Sequence, residues 1–175
     1  NERVLTTPNH YAYLKIAEGC NRACSYCAIP IITGPYKSRT IEDIEDEVKY
    51  LVSTGVKEFQ VIAQDLSFYG LDNYKRLALP ELIKRLSDIK GVEWLRLHYA
   101  YPTQFPYEIL DVIKERENVC NYLDLALQHS SDHMLKLMRR GITYDQTVQL
   151  LSEIRSAVPD ICLRTTLMVG HPDET

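Results

Sequence analysis

Glu18-Gly19-Cys20-Asn21-Arg22-Ala23-Cys24-Ser25-Tyr26-Cys27-Ala28-Ile29-Pro30 places three cysteines in one loop at the spacing C-x-x-x-C-x-x-C, directly after a strand-like stretch from Tyr11 to Ala17. Thiolates are soft ligands that favour iron–sulfur clusters or zinc over hard cations. Three of them can hold three irons of a [4Fe-4S] cluster and leave the fourth iron without a protein ligand. An open metal position is where chemistry happens, by the logic that separates catalytic from structural zinc. The competing readings fit less well. A zinc-stapled binding module needs a fourth ligand, and its C-x-x-C spacings usually come in pairs. No second pair exists, and His10 precedes the first strand instead of sitting in a matching knuckle. A disulfide would leave one of the three cysteines unpaired.

Outward from this loop, strand-like runs alternate with helical patterns. Glu58 to Ala63, Trp94 to His98, Tyr122 to Leu127 and Cys162 to Val169 read as further strands. Thr40-Ile41-Glu42-Asp43 has the capping-box pattern. It opens a helix whose stripe is Ile41, Ile44, Val48 and Leu51, ending at Gly55. Leu79 to Ile89 reads as a second helix with Pro80 in its first turn and Leu82, Leu86 and Ile89 inward; Gly91 stops it. Tyr107 to Glu115, Asp132 to Arg139 and a Thr143-capped helix from Tyr144 to Ala157 follow, the last with Val148, Leu151 and Ile154 expected inward. This alternation predicts an α/β domain with parallel strands joined by right-handed crossovers. A closed eight-unit barrel takes about 250 residues. Five or six parallel strands in 175 residues therefore predict a partial, open β/α barrel. Its chemistry should gather at the carboxyl ends of the strands, which is where the cysteine loop emerges.

A length of 175 residues suits one domain, and a hydrophobic fraction of 45% suffices for a core. The net charge of -4 argues against a surface built wholly for nucleic acid, although Lys136, Arg139 and Arg140 form a small basic patch. No apolar run reaches the length of a membrane span and no signal peptide opens the chain, so no membrane partner is expected. Five cysteines, three of them clustered, fit a reducing cytoplasmic setting better than a disulfide scaffold. The polar start, Asn1 to Asn9, and the stop at His171-Pro172-Asp173-Glu174-Thr175 just after an apolar strand predict a piece of a longer protein.

The cysteine spacing, the aromatic Tyr26 before the third cysteine and the β/α pattern that follows resemble the radical S-adenosylmethionine enzymes. Tyr11 to Pro30, Val61-Ile62-Ala63-Gln64-Asp65, Leu127-Gln128-His129, Met138-Arg139-Arg140-Gly141 and Val169 to Thr175 resemble the methylthiotransferase branch of that family. Leu97-His98-Tyr99-Ala100-Tyr101-Pro102 and Leu127-Gln128-His129 are similar to the members that modify an aspartate of the small ribosomal subunit's protein twelve. The tRNA-modifying members, which make 2-methylthioadenosine, are the alternative. The resemblance implies a [4Fe-4S] cluster on Cys20, Cys24 and Cys27, with the methionine moiety of S-adenosylmethionine on the open iron. One electron then splits the sulfonium to give a 5′-deoxyadenosyl radical. It also implies an amino-terminal domain with a second [4Fe-4S] cluster, a carboxyl-terminal substrate-gripping β-barrel domain and an electron donor such as flavodoxin or ferredoxin. Residues 1–175 would be an incomplete core lacking both flanking domains.

The same resemblance names the cofactor contacts. Gln128 would meet the ribose, and Arg140, rather than Arg139, the cofactor carboxylate. Thr166 and Gly170 would meet the ribose and adenine, and Gln64 would lie near the methionine amine, although the glycines of relatives are missing there. Tyr26 and Tyr99 are further contacts. Cys120 and Cys162 read as core residues. His98, His129 and His133 lack a carboxylate partner at motif spacing, so none is an evident base, and no catalytic side chain is identified beyond the cluster ligands.

Overall fold

A computed structural model describes residues 4–175; the first three residues of the polar start lie outside it. The elements are β1 (Tyr11–Lys15), β2 (Ala17–Glu18), α1 (Ile29–Thr33), β3 (Lys37–Ser38), α2 (Ile41–Ser53), β4 (Glu58–Ile62), α3 (Leu79–Ser87), β5 (Trp94–Ala100), α4 (Glu108–Glu115), β6 (Val119–Gln128), α5 (Asp132–Leu137), α6 (Tyr144–Ala157) and β7 (Cys162–Leu167). Five strands form one sheet in the order β1-β4-β5-β6-β7, and every adjacent pair is parallel. Each crossover returns through helical structure, as parallel pairing requires. The expected partial β/α barrel is thus the fold observed.

Alternation along the strands divides the sheet into two faces. Ala12, Leu14, Phe59, Val61, Leu95, Leu97, Leu123 and Leu125 are buried. They meet the apolar stripes Ile44, Val48 and Leu51 of α2, Leu82, Ile83 and Leu86 of α3, and Ile109, Val112 and Ile113 of α4 in one core. The opposite face carries Tyr13, Lys15, Gln60, Arg96, His98 and Tyr122, which are partly exposed.

Thr40 caps α2 by accepting from Asp43 N, and Thr143 and Gln146 form a full capping box on α6. In α6 the buried residues are Thr147, Leu150 and Ile154, whereas Val148 is exposed. The spacing 147, 150, 151, 154 follows the helical repeat and displaces the expected stripe through Val148. Cys162 also differs from expectation: it lies exposed on the edge strand β7, and Cys120 is half-buried. No helix among the described residues is long and apolar enough to cross a membrane.

The segment bearing the cysteines leaves the carboxyl end of β1 and is pinned at its base. Ala17 and Glu18 pair antiparallel with Ser38 and Lys37. Gly19 adopts φ +76, and a Cβ there would lie 2.2 Å from Pro35 O. Only glycine fits so close a backbone approach. Cys20 N then donates to Gly34 O at 3.2 Å.

Candidate functional site

Cys20, Cys24 and Cys27 border one cavity of about 440 Å³ at the carboxyl ends of the strands. β1 contributes Lys15, β4 and the residues after it Ile62, Ala63 and Gln64, β5 Tyr99, and β6 Ala126 and Gln128. Arg22, Tyr26, Tyr101 and Arg140 complete most of the wall. The expected residues Tyr26, Gln64, Tyr99, Gln128 and Arg140 therefore converge with the three cysteines. Thr166 and Gly170 are not among the cavity residues. Thr166 is exposed on β7, and Gly170 N donates to Glu174 Oε2 at 2.5 Å. Arg139 is exposed on the other side of the cysteine loop and lies outside this cavity.

The loop is held from three directions. Arg22 Nε donates to the buried Asp65 at 2.8 Å, and its Nη1 to Thr103 Oγ1 at 3.0 Å and Gln104 Oε1 at 3.1 Å. Ser25 N donates to Met138 O at 3.2 Å and Ser25 Oγ to Leu137 O at 2.8 Å, fastening the loop to the end of α5. The Tyr101 ring lies 4.1 Å from the Arg22 guanidinium and 4.0 Å from that of Arg140. Its hydroxyl donates to Arg140 O at 3.0 Å and stands 3.7 Å from Cys24 Sγ. A desolvated ring between cations gains cation–π attraction on top of its burial.

Arg140 is buried. Its Nη1 donates to Cys24 Sγ at 3.2 Å and to Tyr26 Oη at 3.2 Å, and its Nη2 donates to Ala126 O. Burial pushes the Tyr26 hydroxyl up to about 12, against the pull of Arg140. Burial likewise raises the Cys20 thiol, with the Arg22 backbone N–H opposing. It also raises the Asp65 carboxyl, with Arg22 and Ser67 opposing.

Two buried polar atoms among the described residues lack a hydrogen-bond partner, Gln64 Oε1 and Arg140 Nε, and both residues line this cavity. Buried polar groups are seldom left unpaired. One orphan is an acceptor and the other a cationic donor, a pair complementary to the ammonium and carboxylate of an amino-acid zwitterion.

A zinc staple finds no support in the side-chain geometry. No three His, Cys, Asp or Glu side chains among the described residues are grouped to hold a single ion. His10 stands before β1, at the opposite end of that strand from the cysteine loop. In a four-iron cluster each thiolate binds a different iron, so the sulfurs stand further apart than around one zinc.

Folding also supplies partners that sequence spacing did not. His129 Nε2 meets Glu174 Oε1 at 3.1 Å, while its Nδ1 accepts from Ser131 N. His98 Nε2 donates to Gln60 Oε1 at 2.6 Å, with Asp124 4.0 Å from its other nitrogen. Lys15, Arg22 and Tyr101 are cavity residues that the sequence reading did not single out. Lys15 shares alternation with Tyr11 and Tyr13, and Tyr101 lies within the segment Leu97–Pro102 quoted above, so both signals were present but not decisive.

The chain belongs to the radical SAM superfamily, whose family model matches residues 14–175. It is 68% identical over 174 residues to a protein of Parabacteroides distasonis named ribosomal protein uS12 methylthiotransferase RimO, and 66% identical over 175 residues to one of the same name from Porphyromonas gingivalis. These alignments cover 99% and 100% of this chain but 40% of either relative, so the chain spans well under half their length. Among solved structures, the radical S-adenosylmethionine methyltransferase TsrM from Kitasatospora setae, with cobalamin and a [4Fe-4S] cluster bound, superposes with a TM-score of 0.71 at 20% identity. That match covers 94% of this chain and 32% of TsrM. Methylornithine synthase PylB superposes at 0.60 with 18% identity, over 93% of this chain and 46% of that one. At such identities the likeness is one of fold.

Proposed function

We propose that this chain is the cofactor-binding core of a methylthiotransferase that adds a methylthio group to the β-carbon of an aspartate in ribosomal protein uS12. The observation that carries this reading is the 68% identity to a relative of that name across 99% of the chain. Bound at this cavity, a [4Fe-4S] cluster and S-adenosylmethionine supply the radical chemistry that an unactivated C–H bond requires. Cys20, Cys24 and Cys27 hold the cluster. Arg140 Nε takes the cofactor carboxylate and Gln64 Oε1 its ammonium, which satisfies both orphaned atoms. Gln128 meets the ribose from the end of β6. Tyr26 and Tyr99 wall the pocket, and Thr166 and Gly170, outside the cavity as it stands, approach the nucleoside when it is bound. Arg22 and Tyr101 hold the cysteine loop in register with Arg140. The complete enzyme carries an amino-terminal second-cluster domain and a carboxyl-terminal β-barrel domain, takes electrons from a flavodoxin or ferredoxin, and works in the cytoplasm.

The test compares a strain lacking the full gene with its parent by mass spectrometry of uS12 and of tRNA. Loss of the methylthio group from uS12 alone is the expected result. Loss from tRNA adenosine with uS12 unchanged would assign the chain to the tRNA-modifying alternative. Anaerobic reconstitution with iron and sulfide should give a brown protein with three-cysteine-dependent visible absorption, and a colourless protein would overturn the cluster assignment.

A further inference from the structure

We infer that Lys15 is the specificity-determining residue that grips the carboxylate of the substrate aspartate, an assignment that rests on the proposed function. Three cations line the cavity: Lys15, Arg22 and Arg140. Arg22 is committed to structure, since its donors reach Asp65, Thr103 Oγ1, Gln104 and Thr103 O. Arg140 is buried and spends both terminal nitrogens on Cys24, Tyr26 and Ala126 O. Lys15 differs. Its ammonium has three donors, its side chain is 48% exposed, and its salt-bridge partner is the equally exposed Glu18. Such a pair contributes little in water and is readily exchanged.

The placement of Lys15 is nevertheless firm. It ends β1 opposite Ile62, and its carbonyl accepts from Arg39 Nη1 at 2.8 Å. Glu18 is itself steadied by Gln64 Nε2 at 3.2 Å. An incoming carboxylate can therefore replace Glu18 on Lys15 while Glu18 keeps a second partner. The chemistry gives this contact leverage. The aspartate β-carbon is bonded directly to the carboxyl carbon, so fixing the carboxylate fixes the reacting carbon to within one bond. A neutral side chain of the same shape offers Lys15 no charge in exchange for Glu18, and specificity follows from the charge-assisted bond it fails to make.

The test uses the full-length, cluster-reconstituted enzyme with two uS12 loop peptides, one carrying the target aspartate and one carrying asparagine there. Wild type should prefer the aspartate peptide by roughly 10- to 100-fold in KM, the span of a charge-assisted hydrogen bond. Lys15→Met should bring the two KM values to within about threefold, and Lys15→Arg should restore the preference. Iron content and S-adenosylmethionine affinity by equilibrium dialysis serve as controls for fold and cofactor site. Retention of the wild-type preference by Lys15→Met would overturn the assignment. So would a loss of cofactor affinity in Lys15→Met, which would place Lys15 on the cofactor instead. A wild-type enzyme that leaves both peptides untouched yet modifies tRNA would remove the underlying reading, an outcome visible before any variant is made.

Discussion

Arg22→Met should destabilise the protein in a way that depends on pH. Asp65 is 2% exposed at its side chain and Arg22 16%, so the ion pair between them is buried. Removing one partner of such a pair costs about 3–5 kcal/mol, because the other charge is stranded. Asp65 has one escape, which is to take up a proton. Protonating a carboxyl of ordinary pKa near 3.9 costs about 4 kcal/mol at pH 7 but only about 1.5 kcal/mol at pH 5, at 1.36 kcal/mol for each pH unit. The penalty at neutral pH is thus capped near the upper figure and shrinks in acid. The sign follows from linkage. Burial raises the folded Asp65 carboxyl even with Arg22 opposing, and losing Arg22 raises it further, so in the variant folded Asp65 binds a proton more readily than in wild type or in the unfolded chain. Stability then falls as pH rises from the ordinary carboxyl value through the raised folded one.

Equilibrium urea unfolding of wild type and variant at the two pH values measures this directly. The expected difference is about 4 kcal/mol near neutrality, or about 10 °C in Tm for a chain of this size. It should fall by about half or more at pH 5. The lost bonds to Thr103 and Gln104 add a pH-independent part. Asp65→Asn combined with Arg22→Met should cost less than the sum of the two single changes, because neither charge is then stranded. A penalty below 1 kcal/mol, or one equal at both pH values, would refute the view that this buried pair clamps the cysteine loop.

Gly19→Ala should cost more than about 3 kcal/mol, since its Cβ would overlap Pro35 O and Gly34 O on rigid backbone. Gly141→Ala, also at positive φ but with nothing within 4 Å of the added Cβ, should cost only about 1–2 kcal/mol, and equal losses in thermal unfolding would contradict the contrast. His98 is held below its ordinary pKa, chiefly by burial and also by Arg96 and Arg164, while Asp124 and Glu58 pull the other way. The unfolded chain therefore binds more protons below about pH 6.5, and wild-type stability drops as pH falls through that value. His98→Gln should flatten this acid-side decline, and an unchanged slope would show that His98 does not cause it. Arg140→Met should keep the iron but weaken S-adenosylmethionine binding by roughly 30-fold, for a lost charge-assisted bond of about 2 kcal/mol. Unaltered affinity in equilibrium dialysis would remove Arg140 from the cofactor site.

Much of the fold was legible because long periodic segments carry it. The stripes of α2 and α3 and the five parallel strands follow from spacing alone. The short pieces were not legible. The β2–β3 pairing spans two residues on each side, too few for any period, and α1 is a five-residue turn of helix that begins beside Pro30. The stripe of α6 failed at Val148 because two apolar sets compete there and Thr147, although polar, donates its hydroxyl to Thr143 O at 2.8 Å and so can be buried. In the site, the cysteines were legible by spacing. Lys15, Arg22 and Tyr101 meet only when separate strand ends are brought together, and no local pattern marks that.

One residue of the cavity shows why alternation could not place it. Leu95 and Leu97 point into the helix-facing core, so strict alternation would send Tyr99 the same way. Instead the β5–β6 register shifts between Leu97 and Ala100, Tyr99 adopts φ +65, and its side chain lines the cavity while Ala100 is buried. β6 repeats the device: its register with β7 shifts between Leu125 and Gln128, and Gln128 has φ +74. A positive φ costs a residue other than glycine about 1–2 kcal/mol, and register irregularities re-aim side chains at the rims of barrels. Tyr101, just past the first shift, carries the ring contacts to Arg22 and Arg140. The regular part of each strand is thus spent on the core, and the irregular end, where stability is given up, turns side chains toward the cavity. Tyr99 and Gln128 thus carry positive φ at the carboxyl ends of two adjacent strands and line the same cavity, which is where strain kept for a ligand and not for packing would be expected.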